Sequence, residues 1–324
     1  MLSAAVIDQV VTRASLAPSV HNTQPTRWMI TDTGVDVYCD TRLILPHADP
    51  DGRGAALSCG AAIEAAVLAL SANGIGADVK DLWHLGHDGA DHLRLIARID
   101  LTGKGAEDGL HSQLERRFTW RGLFDDTPVA LFGWTRPDAV LVTDEQGRAF
   151  LADINDRASL KIMQSRPFRR ELRSWMRLRP DHPRAPHDGM SLAALRMTPA
   201  EGRGAGLALG PLWPLLHLLG RTKTLTAEAE ATKSAALIAL FHRPAGESPI
   251  ESGRAYLRMC LEAASLGMAG WPMAAISDDP TTRADTCARF GIGADRRLVQ
   301  AIRFGRAGGA APPRARRPLS EVIL

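Results

Sequence analysis

Cysteine is scarce in this chain of 324 residues. Cys39, Cys59, Cys260 and Cys287 are widely separated and none belongs to a CxxC pair. That spacing excludes a disulfide framework and a zinc knuckle, and it fits reduced thiols in a cytoplasmic protein. Neither charge sign dominates: 39 Lys and Arg stand against 36 Asp and Glu, a net charge of +3. A dedicated nucleic-acid binder concentrates a basic excess, so no nucleic-acid partner is expected. The N-terminus has no basic n-region, and Asp8 and Gln9 interrupt its apolar residues, so it does not read as a signal peptide. Long apolar runs are missing too. The richest, AGLALGPLWPLLHLLG (205–220), is too short to span a bilayer and contains Pro211 and Pro214. It is expected to be a buried segment or a lid, with a peripheral membrane contact as the lesser alternative; no membrane partner is expected.

Several catalytic signatures are also absent. The histidines form no HExxH motif and no tight ligand cluster, so no metal is expected; His84, His87, His92, His182 and His187 read as surface residues. The glycines of EGRGAGLALG (201–210) do not fit GxGxxG, and no strand precedes them. Ser19 and His21 lie two apart, but no glycine elbow surrounds the serine, so a nucleophile pair is not expected. His21 alone reads as a turn or packing residue.

What is present is an ordinary apolar content of 45%, enough for a sizeable core in two domains or one large one. Residues 3–17 have helical apolar spacing. An unusually polar turn follows, Pro18-Ser19-Val20-His21-Asn22-Thr23-Gln24-Pro25. RWMITDTGVDVYCD then reads as two strands hinged at Asp32-Thr33-Gly34. SCGAAIEAAVLALSANG reads as an apolar helix closed by Gly74, and HLRLIARIDL as a strand. A polar linker, Gly103 to Gly109, marks a module boundary. Beyond it, LHSQLERRF is helix-like and AVLVTDEQGRAFL reads as a strand pair around Gly147. Residues 155–230 are rich in Arg, Pro and Gly and poor in strand signal, with PDHPRAPHDG a loop by composition. The end is regular: strand AALIALFH, helix SGRAYLRMCLEAASLG and strand RRLVQAIRFG.

That ending repeats the first module. At a common offset, Gly60, Ala62, Leu68 and Gly74 meet Gly253, Ala255, Leu261 and Gly267. Each helix is followed by a strand opening Arg-Leu, at Arg94-Leu95 and Arg297-Leu298. The shared order of helix, glycine and strand favours duplication, with half one at 1–104 and half two at 105–324.

Two basic clusters suit an anionic ligand, because guanidinium forks bind anionic oxygens bidentately. One is ERRFTWRGLF (115–124), where Arg117, Thr119 and Arg121 alternate; the other is PPRARRPLSEVI, with Arg314, Arg316 and Arg317. Taken alone, each is as well explained by a solvated basic face.

Together with the polar turn they carry a family resemblance. APSVHNTQP resembles the PSxxNxQPW motif of the nitroreductase-like flavoproteins, Arg117-Phe118-Thr119-Trp120-Arg121 their R-x-[ST]-x-[RK] motif, and RARRP their C-terminal basic pair before proline. SLGMAGWPMAAI is similar to their late helix-to-strand turn, and the nearest subgroup is the Acg-like one, with two halves fused in one chain. The resemblance implies an α+β, nitroreductase-like fold: two related halves forming an intrachain pseudo-dimer, with mixed sheets flanked by helices. It implies one composite FMN site, with the PSxxN loop from half one and the arginine motif, late turn and tail from half two, and one degenerate site. Pro18, Ser19 and Asn22 would contact the ribityl chain and ring edge. Arg117 and Thr119 would take the phosphate and ribityl end, and Arg121 would lie near the pyrimidine edge. Arg314 and Arg316 would close over the phosphate, Ala274 and Ala275 would present backbone N–H groups to N5, and Asn155 would sit at the pyrimidine edge. The tryptophan expected after Gln24-Pro25 is replaced by Thr26; Trp28, on the same strand face, is placed to stand in.

The implied function is ping-pong transfer of reducing equivalents from NADH or NADPH to a small organic acceptor, in a monomeric pseudo-dimer or a homodimer. No side-chain nucleophile is required, since the flavin carries the chemistry. The alternatives are a flavin-sequestering protein whose 186–224 segment is a lid, a biosynthetic oxidase using oxygen, and a binding module without flavin.

Overall fold

The computed structural model describes residues 2–85, 91–131 and 133–324. His87 therefore lies outside the described residues. The chain forms two four-stranded sheets with the same strand order. The first is built from β1 (Thr26–Ile30), β2 (Gly34–Asp40), β3 (Ile75–Asp81) and β4 (Leu93–Lys104), in the order β1-β2-β4-β3. The second uses β5 (Ala139–Val142), β8 (Leu237–Pro244), β9 (Ala269–Pro272) and β10 (Arg296–Gly305), in the order β5-β8-β10-β9. Within both sheets the ladders are antiparallel. The parallel component comes from single bridges, Trp28 to Ile323 and Thr119 to Gly270, and from the short pair β6 (Met176–Arg177) and β7 (Met190–Ser191).

Helix α1 (Ala4–Ala14), capped by the Ser3 hydroxyl, and helix α2 (Arg53–Ala72) cover one face of the first sheet. The other face carries cross-strand charge pairs, Arg98 with Asp36 and Lys80 with Asp100, as an antiparallel sheet with one wet face allows. Helix α2 is apolar on nearly all sides, so it must be buried on nearly all sides. It is long and apolar enough to cross a membrane, but most of it is buried in the fold. Its partner is α10 (Pro249–Ser265), whose Ile250, Leu257 and Leu261 join the first core while Tyr256, Met259 and Ala263 join the second.

The two helices cross where Gly60 meets Gly253. A Cβ on Gly60 would lie 2.1 Å from the Ile250 carbonyl oxygen, and one on Gly253 would lie 2.2 Å from that of Leu57. Any side chain there would force the backbones apart. Below the crossing, the buried Glu64 carboxylate accepts from Arg254 (2.9 Å) and Arg258 (2.8 Å), and Arg258 also reaches Asp108 (2.8 Å). Gly74 and Gly267 end the two helices in matching left-handed conformations, with φ of 70° and 77°.

Between β5 and β8 the chain makes a long helical excursion: α3 (Glu145–Met163), α4 (Arg166–Trp175), the β6/β7 pair, then α5 (Leu192–Leu195), α6 (Pro199–Ala208), α7 (Trp213–Leu218), α8 (Thr222–Thr226) and α9 (Ala229–Ser234). After β9 come α11 (Ala274–Asp278) and α12 (Pro280–Phe290), and the tail ends in α13 (Leu319–Val322). The second sheet is thus covered on both faces, by α10 on one and by α3 and α11 on the other. The tail after β10 returns to the first sheet, where the Leu324 N–H donates to the Trp28 carbonyl (2.8 Å). The segment after β4 crosses to the second sheet, where the Trp120 N–H donates to the Gly270 carbonyl (3.1 Å). The exchange is reciprocal but unsymmetrical, since one arm joins the β1 edge and the other the β9 edge.

Several local expectations need correction. AVLVTDEQGRAFL is a strand followed by a helix, not a strand pair. Asp144 caps α3 by accepting from the Gly147 N–H (2.7 Å), and a Cβ on Gly147 would meet Val142 at 2.4 Å. LHSQLERRF forms only a short 3-10 turn (Gly109–Gln113) before straightening into the Thr119 bridge. β3 was not expected, although Ile75, Ala77 and Val79 alternate with Gly76, Asp78 and Lys80 and pack against the first core. Trp28 is buried under the C-terminus rather than standing beside the polar turn. The 205–220 run is not buried as a segment: Trp213 is enclosed, but Leu212, Leu215, Leu218 and Leu219 are exposed.

The glycine crossing yields a stability prediction. Gly60→Ala should cost about 1–3 kcal/mol through overpacking against a backbone carbonyl. Gly204→Ala, in α6 with nothing near its would-be Cβ, should be neutral or stabilising. Equal urea midpoints for the two variants would refute the crossing.

Candidate functional site

The polar turn leaves α1 at Ser15 and enters β1 at Thr26. Three of its residues adopt left-handed conformations: His21 (φ 47°), Asn22 (58°) and Gln24 (54°). Such backbone is costly for residues with a Cβ and persists only where the surroundings fix it. Side chains supply that fixing. The Ser19 hydroxyl accepts from the Gln24 N–H (3.1 Å), and Ser58 accepts from the Val20 N–H (3.2 Å). Gln24 donates to the His187 carbonyl (2.8 Å) and accepts from the Arg317 N–H (2.9 Å). The polar density of the turn is therefore structural, because it replaces a ladder that this backbone cannot make.

Three arginines converge beside it. Arg117 donates to the Leu16 carbonyl (2.9 Å), just past the C-terminus of α1. Arg316 donates to the same carbonyl (3.3 Å), to the Asn22 side-chain oxygen (3.2 Å) and to the Ala315 carbonyl (2.7 Å). Arg314 donates to the carbonyls of Arg117 (3.1 Å) and Glu115. Asn22 completes the knot by donating to the carbonyls of Gly189 and Ala315 (both 3.1 Å). Among the described residues no carboxylate forms an ion pair with Arg117, Arg314 or Arg316. The Glu115 carboxylate, whose charge acts on Arg314, is paired with Arg13. Burial, and then the neighbouring Arg117 and Arg314, push the Arg316 guanidinium down to about 9, still charged at neutral pH. Burial likewise lowers Arg117 and Arg314. The Nε atoms of Arg117 and Arg316 are buried without a partner. Arg117 is buried, Arg316 half-buried and Arg314 exposed at the rim, and enclosed like charges with open Nε donors call for an anion.

Arg317 belongs to a different system. It pairs with Asp188 (2.7 Å) and Glu321 (3.0 Å), Arg177 and Arg184 each pair with Asp188 (2.6 Å), and Arg184 reaches Glu321 (3.0 Å). This network clamps residues 184–189 between the tail and the polar turn, where the Gly189 N–H donates to the Asn22 carbonyl (3.2 Å).

A second cluster adjoins the first. Arg121 donates to the Ala194 carbonyl (3.2 Å). Burial lowers it, Glu228 opposes that shift, and Arg303 adds to it. Arg303 is fully buried, pairs with Glu228 and lies 4.0 Å over the Trp271 ring. Two of its nitrogens, Nε and Nη1, have no partner. The buried Asn155 donates to Glu228 (3.3 Å). His21 faces Arg121: burial first, then that cation, push its imidazole down to about 4, and its Nε2 is unpartnered.

Of the sequence-derived site residues, Arg316 bonds Asn22 directly, Arg117 shares the Leu16 carbonyl with Arg316, Arg314 bonds the Arg117 carbonyl, and Asn155 bonds Glu228, whose charge acts on Arg121. Ser19 turns back into its own loop, with Pro18 half-buried beside it. Thr119 sits on the β9 edge. Ala274 and Ala275 open α11 after β9, and no hydrogen bond or ion pair among the described residues ties them to the arginines. Arg303, Glu228 and Trp271 were missed. The signal for Arg303 was a lone cation inside the apolar strand AIRFG. His182 and His187 are half-buried, in contrast to the exposed His84 and His92. No group of metal-ligating residues is assembled among the described residues.

No family model matches the chain. It is 36% identical over 128 residues to "Putative NAD(P)H nitroreductase Rv3131" of Mycobacterium tuberculosis, covering 39% of this chain and 36% of that protein. It is 39% identical over 80 residues to "Putative NAD(P)H nitroreductase acg" of the same species, covering 25% of this chain and 24% of that one. The matches thus span about a third or less of each curated relative. Among solved structures, the FMN-dependent nitroreductase NfnB of Mycobacterium smegmatis in complex with NADPH is similar at 21% identity and a TM-score of 0.36, covering 65% of this chain and 97% of that one. An iodotyrosine deiodinase bound to FMN and 3-iodo-L-tyrosine gives 12% identity and a TM-score of 0.37, covering 64% and 95%. Superpositions this loose transfer no residue roles.

The buried neutral His21 has a measurable consequence. Its folded value lies below the unfolded 6.5, so the unfolded chain binds the extra proton as pH falls. Its contribution is whole above about pH 6.5 and is lost towards pH 4, by roughly 1–3 kcal/mol. NMR titration of the imidazole should show a midpoint near the lower value; a midpoint at the ordinary value would place His21 in solvent.

Proposed function

We propose that this chain is an FMN-dependent oxidoreductase of the nitroreductase type, in an Acg-like arrangement of two halves, 1–104 and 105–324. The observation that carries the reading is the convergence of Arg117, Arg314 and Arg316, without carboxylate partners, on the polar turn at Asn22. These residues fit a flavin phosphate on their own chemistry: three guanidiniums, two buried Nε–H groups without acceptors, and an Asn fixed by its neighbours. The partial likeness to curated NAD(P)H nitroreductases supports the same reading.

When bound, FMN would supply hydride chemistry at N5, taking two electrons from NADH or NADPH and passing them to a small nitroaromatic, quinone or enone-like acceptor. The residues around it bind and tune. Arg117, Arg314 and Arg316 neutralise the phosphate, which offsets their mutual repulsion. In the second cluster Arg121 and Arg303 outnumber Glu228, and the net positive charge would favour a reduced anionic ring. His21 stays neutral at physiological pH, so it adds no further cation. Trp271, under Arg303, offers an apolar wall.

A second reading, flavin sequestration with little turnover, is favoured by one feature. Residues 187–189 are bonded onto the polar turn and held by the Asp188 ion-pair network, as a strap over the site would be.

The purified protein should be yellow and release FMN on denaturation. Arg117→Ala and Arg316→Ala should each weaken FMN affinity about tenfold or more, the loss of a charge-assisted hydrogen bond. Anaerobic NADPH or NADH should bleach the flavin. A stable yellow colour under both donors would favour sequestration, and a colourless chain that FMN cannot reconstitute would sink both readings.

A further inference from the structure

The excursion from α6 to α8 does something the site does not need. Leu207, Leu212, Leu215, Leu218, Leu219 and Leu225 are all exposed, and Leu218, at 83%, is the most exposed large apolar side chain among the described residues. Soluble surfaces scatter such residues singly; here six fall within nineteen positions, a concentration that marks an interaction surface. The leucines are presented by ordered structure. Thr198 and Glu201 form a capping box at the start of α6, Trp213 is buried with Arg169 stacked over it at 4.4 Å, and Thr222 and Thr226 are the buried residues of α8.

Between Glu201, which is held in the α6 capping box, and Glu228 the charge of this segment has one sign. Residues 202–227 contain no Asp or Glu, but they include Arg203, Arg221 and Lys223. Arg173 of α4 reaches up beside Gly210. Among the described residues none of these four cations forms an ion pair, whereas Arg184, Arg243, Arg254 and Arg258 elsewhere in the chain each hold two carboxylates.

We propose that this patch docks on an anionic lipid surface, with the leucines entering the interface and the unpaired cations meeting the headgroups. Apolar anchors flanked by free basic residues are what such binding uses, and each cation adds to it near a negative membrane. A second copy of the chain fits poorly. An isologous contact through this face would bring its cations against their own equivalents, and the carboxylate of α6, Glu201, is already held by Thr198. The segments that flank it touch the candidate site: Ala194 of α5 accepts from Arg121, and Glu228, just before α9, holds Arg303.

Cosedimentation with vesicles tests this, using phosphatidylcholine alone and phosphatidylcholine mixed with phosphatidylglycerol. The wild type should bind the mixed vesicles and not the neutral ones, and high salt should weaken binding. Leu215→Ser/Leu218→Ser should lower the partition coefficient at least about tenfold, and Arg221→Glu/Lys223→Glu by a factor on the order of ten or more. Far-UV circular dichroism and melting should stay unchanged, because all four side chains are exposed; were the leucine variant to unfold, the charge variant decides. Failure to bind mixed vesicles, or binding indifferent to both variants, would overturn the proposal. So would a concentration-dependent dimer in light scattering that the leucine variant abolishes.

Discussion

The close approach of α2 and α10 at Gly60 and Gly253 is the constraint on which the rest of the molecule depends. Helix α2 is sheathed in apolar residues of the first core and α10 packs into both cores, so separating them would expose both. The glycines let the backbones touch, and the Glu64 pairs with Arg254 and Arg258 fix how the helices lie along one another. Because Glu64 is buried, that carboxylate is tolerable only while both guanidiniums hold it, which makes the arrangement specific as well as stable.

With the halves held at that distance, each reaches the other's sheet. The segment after β4 pairs with β9, and the tail after β10 pairs with β1. The two arms run to unlike edges, and this breaks the symmetry that the strand orders share. Arg117 on one arm and Arg314 and Arg316 on the other therefore meet once, against the polar turn. The site is a consequence of the exchange and not of any single module.

The candidate site stores unfavourable electrostatics and unfavourable backbone together. Buried guanidiniums repel one another, and three residues of the turn hold left-handed conformations. Neighbouring arginines show what the same residue does when structure is its whole task. Arg177, Arg184 and Arg317 all find Asp188 or Glu321. The contrast between paired and unpaired arginines separates the clamp from the anion site, and separates both from the uncovered leucine patch.

Much of this was legible in the chain. Local chemistry wrote the polar turn, the Asp32-Thr33-Gly34 hinge, the apolar helix ending at Gly74 and the strand RRLVQAIRFG, because turn formers and apolar periodicity act over a few residues. The repeat could be read from glycines whose φ or contacts admit little else. Gly147 misled because a glycine inside a helix is rare, and only packing against Val142 justifies it. Arg303, Glu228 and Trp271 stayed hidden, as their meeting requires three segments far apart in sequence. The sequence by itself determined which residues were suited to an anion; tertiary structure alone decided which of them went unpaired. That difference is physical: a guanidinium's chemistry is local, but its partner is chosen by whatever the fold brings within hydrogen-bonding reach.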